Sequence, residues 1–131
     1  MIDQKILVVE DNLMNLELVS DILGAHDYLV LQAETGQKAI DIAISEQPDL
    51  ILMDIQLPEM DGLEVTRILK EKPQTNHISI IALTAHAMRG DEERAREAGC
   101  SGYIAKPIDT REFAGLIAGF LEASRTDSRE R

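Results

Sequence analysis

The chain has 131 residues, 44% of them apolar, which is room for one domain with a single core and argues against wholesale disorder. Its 13 Lys and Arg against 24 Asp and Glu leave a formal net charge of −11, a surface that repels phosphate backbones, so direct nucleic-acid binding is not expected. No apolar run is long enough to span a bilayer, the start Met1-Ile2-Asp3-Gln4-Lys5 lacks the shape of a signal peptide, and the lone Cys100 excludes an internal disulfide and a multi-cysteine zinc site. A cytoplasmic domain without membrane insertion is the expectation.

Five short apolar runs alternate with segments of helical length. The first run, Ile6-Leu7-Val8-Val9, is followed by Glu10-Asp11-Asn12, and the helix after it is expected to stop at Gly24. The second, Leu29-Val30-Leu31, leads into Gln32-Ala33-Glu34, which offers little chemistry and suits a sheet edge. The third, Leu50-Ile51-Leu52-Met53, delivers Asp54, and Asp61-x-x-Glu64 has the form of a capping box opening the next helix. The fourth, Ile80-Ile81-Ala82-Leu83, delivers Thr84. The helix after it, from Arg89 to a stop at Gly99, offers only Ala95 and Ala98 for burial. Its Glu92 and Arg96 are spaced to pair at i,i+4, and Glu92-Glu93 reads as a solvated face with no partner of its own. The fifth run, Tyr103-Ile104-Ala105, delivers Lys106. Asp109-x-x-Glu112 then caps a helix whose Phe113, Leu116, Ile117, Phe120 and Leu121 share one face. From 125 onward the chain is polar, and a disordered tail over 125–131 is expected.

Strand and helix alternating five times imply parallel strands with right-handed crossovers, hence a three-layer α/β sandwich. In such sheets ligands sit beyond the carboxyl ends of the strands. Four of the five runs end in a charged or hydroxyl group there, namely Glu10-Asp11, Asp54, Thr84 and Lys106. Three carboxylates at one rim repel each other, at about 4 Å by roughly 1 kcal/mol per pair in water and about 4 at an effective dielectric near 20. Oxygen ligands alone favour Mg²⁺ or a similar hard cation. Lys106 is suited to an anion of phosphate type, and Thr84 adds a hydroxyl donor. Cation, anion-holding lysine and hydroxyl together suit phosphoryl transfer, and a carboxylate can itself be the acceptor.

Val8-Val9-Glu10-Asp11-Asn12, Asp49-Leu50-Ile51-Leu52-Met53-Asp54-Ile55-Gln56-Leu57-Pro58, Asp61-Gly62, Leu83-Thr84-Ala85 and Lys106-Pro107 stand in register along one domain. In these motifs the sequence resembles the receiver domain of two-component response regulators, the CheY-like fold, over essentially residues 4 to 122. The resemblance implies a doubly wound (βα)5 sandwich with a five-stranded parallel sheet in the order 2-1-3-4-5, and a receiver domain over 1–124. It implies that Asp54 accepts a phosphoryl group from a phosphohistidine on a sensor histidine kinase or histidine phosphotransfer protein. Asp11, Asp54 and the backbone carbonyl of Gln56 would hold Mg²⁺, with Glu10 acting through a metal-bound water, while Lys106 and Thr84 would hold phosphoryl oxygens. Lys106-Pro107 would be a cis peptide. Thr84 and Tyr103 would couple as a switch that alters contacts with a downstream protein target through the fourth helix, fifth strand and fifth helix. Gln56 and His86 are candidate modulators of dephosphorylation.

Ala87-Met88-Arg89-Gly90-Asp91-Glu92-Glu93 and Gly99-Cys100 are similar to single-domain regulators of the DivK cell-cycle type and to receivers detached from hybrid kinases. Asn12 and Asn15 point the same way, toward a phosphorelay partner docking at the first helix. The expected role is a signalling phosphoacceptor that assists only its own phosphorylation and dephosphorylation, not an enzyme of the turnover kind. The alternatives are a phosphorylation-independent interaction module and, more remotely, a phosphatase of the haloacid-dehalogenase type. The latter needs a second aspartate two residues after the nucleophile, where this chain has Gln56. A flavodoxin-like cofactor carrier is disfavoured by the acidic Glu10-Asp11 where a phosphate-cradling loop would be required.

Overall fold

The structure, a computed structural model, describes residues 4–57, 60–84, 89–105 and 109–130. Its elements in chain order are β1 (Lys5–Val9), α1 (Leu13–Ala25), β2 (Leu29–Ala33), α2 (Gly36–Glu46) and β3 (Leu50–Asp54), followed by α3 (Gly62–Glu71), β4 (Ser79–Thr84), α4 (Arg89–Ala98), β5 (Gly102–Ala105) and α5 (Thr110–Glu130). All strand pairs are parallel and the order is β2-β1-β3-β4-β5, as the resemblance implies, with β2 at an edge.

Alternation along the strands divides the interior into two apolar layers. Ile6 and Val8 of β1, Leu50 and Leu52 of β3, and Ile81 and Leu83 of β4 face α1 and α5, where they meet Leu16, Val19, Leu23, Phe113, Ile117 and Leu121. The intervening residues Leu7, Val9, Ile51, Met53, Ile80 and Ala82 pack on the other face against α2, α3 and α4. The three central strands are buried on both faces, which is why they read as continuous aliphatic runs rather than alternating ones.

Local chemistry starts most helices where the side chains predict. Asn12 caps α1, its side chain accepting from the Asn15 N–H at 3.1 Å, and Thr35 caps α2 through the Lys38 N–H at 3.2 Å. Asp61 caps α3, accepting from the Leu63 N–H at 2.9 Å with Glu64 in the first turn, and Asp109 accepts from the Arg111 N–H at 2.9 Å at the start of α5. Gly99 ends α4 at φ 115°, a backbone conformation that an L side chain resists.

One helix end differs from expectation. Gly24 lies inside α1, which runs on to Ala25. Asp27, not Gly24, takes the positive φ of 68° after the C-cap His26, so an aspartate does the work expected of the glycine. α5 is helical to Glu130. No Pro or Gly follows Gly119, so the backbone ladder propagates at little cost per residue.

Candidate functional site

Strand register brings the chemistry to one rim. Val9 pairs with Met53 and Asp54 with Leu83, and Thr84 pairs with Ala105, so the carboxyl ends of β1, β3, β4 and β5 lie side by side. The ladder extends one residue past β1, where the Glu10 N–H donates to the Ala33 carbonyl at 3.0 Å. Past β3 the Ile55 N–H donates to the Leu83 carbonyl at 3.1 Å. Both bonds hold the residues beside the carboxylates in the sheet frame.

Glu10 is 1% exposed and Asp54 3%, while Asp11 is exposed at the mouth. One carboxylate oxygen from each lies within 4.8 Å of the others. The Gln56 N–H donates to Asp54 Oδ1 at 2.9 Å, a local turn that fixes the orientation of that carboxylate. Three acidic groups this close, two of them shielded from water, favour a cation among them. A donor set made wholly of hard oxygen suits Mg²⁺, so these residues fit the metal expected for them.

The structure thus brings together Glu10, Asp11 and Asp54, and sets Gln56 two residues past Asp54 in the adjoining turn. Thr84 closes β4 on the same rim and is 1% exposed. Tyr103 pairs with Ala82, and Thr84 with Ala105, on adjacent strands. By alternation Thr84 and Tyr103 therefore share one face of the sheet, a single pleat apart. Lys106, its bond to Pro107, and His86 lie outside the described residues.

Two features of the site lie beyond the sequence expectations. Gly62 opens α3 directly behind Asp54. A Cβ there would stand 2.6 Å from Ile55 Cα and 2.9 Å from the Asp54 carbonyl carbon, and would overlap the Asp54 carbonyl oxygen. β3 and α3 are in backbone contact because this residue has no side chain. The Asp61-Gly62 pair, an N-cap followed by glycine, was the available signal. Glu92, read as a solvated residue spaced to pair with Arg96, also reaches the Tyr103 hydroxyl. The carboxylate pushes the tyrosine hydroxyl up by hydrogen bonding and by charge, and Arg96 opposes it. The pairing of Arg96 with Glu92 at 3.4 Å is as the spacing predicts.

Cys100 is buried between α3 and the start of β5, its Sγ 3.9 Å from Thr66 Oγ1. Burial pushes its thiol up, the condition of an inert structural cysteine. Lys70 beside it is lowered by burial, and its ammonium donates to the carbonyls of Ile78 at 2.6 Å and Asn76 at 3.3 Å.

A doubly wound sheet whose acidic rim is placed to hold a cation beside a strand-end aspartate defines a phosphoacceptor signalling domain. The chain belongs to the response regulator receiver domain family, which it matches over residues 6–118. It is 48% identical over 118 residues to the polar-differentiation response regulator DivK of Brucella ovis, covering 90% of this chain and 96% of that one. The receiver domain of a sensor histidine kinase from Pseudomonas aeruginosa, solved with a magnesium ion coordinated in its active site cleft, is 35% identical. It superposes at a TM-score of 0.85 over 92% of this chain and 99% of its own. A CheY-like receiver domain protein from Methanospirillum hungatei superposes at 0.89, with 26% identity over 96% of this chain and 99% of that one. This is a two-component receiver domain, a signalling module whose acidic cluster is of the kind that binds Mg²⁺. Among the described residues no helix is long and apolar enough to cross a membrane.

Proposed function

We propose that Asp54 is the phosphoacceptor of this receiver, and that residues 1–124 form the unit that carries the signal in the cytoplasm. The observation that carries the reading is the convergence of Glu10, Asp11 and Asp54 within 4.8 Å beyond the ends of β1 and β3. The donor is a phosphohistidine on a sensor histidine kinase or a histidine phosphotransfer protein. An Asp54 oxygen attacks phosphorus, the P–N bond breaks, and the leaving imidazole retains the electron pair and takes a proton. The Gln56 N–H on Asp54 Oδ1 orients the nucleophile before the donor arrives.

Asp11, Asp54 and the Gln56 carbonyl would hold Mg²⁺, with Glu10 acting through a bound water. The metal supplies neutralisation of the carboxylates and of the incoming phosphoryl oxygens. Thr84 donates its hydroxyl to one phosphoryl oxygen and Lys106 its ammonium to another. Drawing Thr84 inward opens space on the sheet face that it shares with Tyr103, and that movement alters the surface of α4, β5 and α5 toward a downstream protein. A groove lined by Tyr103, Ala105, Asp109, Glu112 and Leu116 lies on this surface and supports the assignment. At the other side of the rim, Leu13, Met14 and Leu18 of α1 are 64%, 81% and 42% exposed, an apolar patch suited to the phosphoryl donor. The domain turns over no separate substrate and assists only its own phosphorylation and hydrolysis.

Incubation with acetyl phosphate and Mg²⁺ is expected to add one phosphoryl group by intact mass, and chelation of the metal to prevent it. If neither acetyl phosphate nor beryllofluoride modifies or binds the protein, the reading fails and the phosphorylation-independent interaction module takes its place. Mg²⁺ is expected to raise the melting temperature, by the equivalent of about 2.7 kcal/mol at 100 times its Kd. Asp11→Ala should remove most of that gain while leaving the metal-free protein no less stable, because it relieves repulsion in the cluster. A gain that survives Asp11→Ala would place the metal elsewhere.

A further inference from the structure

α4 is held to the sheet by little apolar surface. Among its described side chains only Ala95 and Ala98 are buried, at 1% and 4% exposure. Two methyl groups define the inner stripe of the helix but anchor it weakly. Glu92 stands three residues before Ala95, on the same stripe one turn earlier, and therefore projects toward the strand that Ala95 covers. That strand is β5, and the Tyr103 ring packs against the cluster that contains Ala95 and Ala98. The hydroxyl end of the ring reaches Glu92, whose carboxylate is itself tied to Arg96 at 3.4 Å. The ring is only half-buried, so apolar packing alone does not commit it to one position.

Tyr103 thus lies between two polar groups. Thr84 is one pleat away on the same face of the sheet, and Glu92 is on the helix above it. To move into space released by Thr84, the tyrosine must give up the carboxylate. We propose that Glu92, clamped by Arg96, is a catch that holds Tyr103 against α4 and so sets how much of the resting protein is already in the switched arrangement. The inference rests on the Thr84–Tyr103 coupling above and adds to it a positioning residue outside the phosphorylation site. The apparent dissociation constant for a phosphoryl group or its mimic is the intrinsic one divided by the fraction already in the competent arrangement. Weakening the catch must therefore tighten binding at a site that Glu92 does not touch. The same catch couples the switch to α4, because a partner that pulls Glu92 or Arg96 away would release the tyrosine.

The test is a beryllofluoride titration in Mg²⁺ of wild type, Glu92→Gln, Glu92→Ala, Tyr103→Phe and the double variant Tyr103→Phe with Glu92→Ala. The Tyr103 ring resonances are followed by NMR, the chain having only 2 tyrosines. Glu92→Ala is expected to bind about threefold tighter than wild type, with Glu92→Gln in between, as suits an exposed charged contact. In the Tyr103→Phe background the same alanine should change nothing, because the hydroxyl it acts on is gone. Equal affinity in wild type and Glu92→Ala overturns the catch, as does an undiminished gain in the phenylalanine background. Binding that leaves the Tyr103 ring unshifted overturns the switch on which the catch depends. A wild-type protein that does not bind beryllofluoride at all overturns the site reading itself, and the catch with it.

Discussion

Asp54→Asn is expected to abolish phosphoryl gain from acetyl phosphate, reducing near-stoichiometric modification to none in the same Mg²⁺-containing mixture. The substitution keeps the shape of the side chain and an Oδ1 that can accept from the Gln56 N–H, now at 2.9 Å from the carboxylate. The turn after β3 should therefore persist, and a far-ultraviolet spectrum should match wild type. What is lost is the nucleophile, since an amide oxygen does not form a stable acyl phosphate. The variant also removes one of three clustered negative charges, so its metal-free form should be at least as stable as wild type. Urea unfolding without metal checks that sign. A phosphoryl adduct that persists in Asp54→Asn would move the acceptor to Glu10 or Asp11.

Gly62→Ala is expected to cost about 3 kcal/mol in urea unfolding, as an overpacked contact between rigid groups does. The methyl group would meet Ile55 Cα at 2.6 Å and the Asp54 carbonyl carbon at 2.9 Å, and backbone atoms cannot step aside as the end of a side chain can. Either α3 lifts from β3 or β3 bends. Both move Asp54 relative to Glu10 and Asp11, so Mg²⁺-dependent phosphorylation should slow along with the loss of stability. Gly24→Ala is the matching control. Nothing lies within 4 Å of a Cβ at that helical position, and alanine there should stabilise by about 0.5–1 kcal/mol. If the two alanine variants behaved alike, the backbone contact behind Asp54 would not matter.

Much of the site was legible because each of its residues follows an apolar run directly. A run too short for a buried helix and buried on both faces is a parallel strand, and its last residue must lie at the carboxyl rim. Glu10, Asp54 and Thr84 are found there, each nearly buried. The caps at Asp61 and Asp109 were legible for a similar reason, since a side chain that accepts from a backbone N–H two residues on needs nothing but its own neighbours. The stop of α1 was misplaced because Gly24 is only permitted to leave the helix, not obliged to. The backbone closes the helix one residue further, with Asp27 in the left-handed conformation and the Tyr28 N–H donating to the Leu23 carbonyl at 3.2 Å.

By itself the sequence determined the alternation of elements, the acidic rim and the residue types available for phosphoryl chemistry. All of these depend on local order along the chain. The tertiary structure alone decided that Gly62 lies against the backbone of Asp54 and that Glu92 meets Tyr103. These contacts join residues on different elements, and their distances depend on how α3 and α4 settle on the sheet. Nothing within one helix's own pattern encodes that seating, because a stripe of two alanines says which face is buried but not what its polar neighbours will reach.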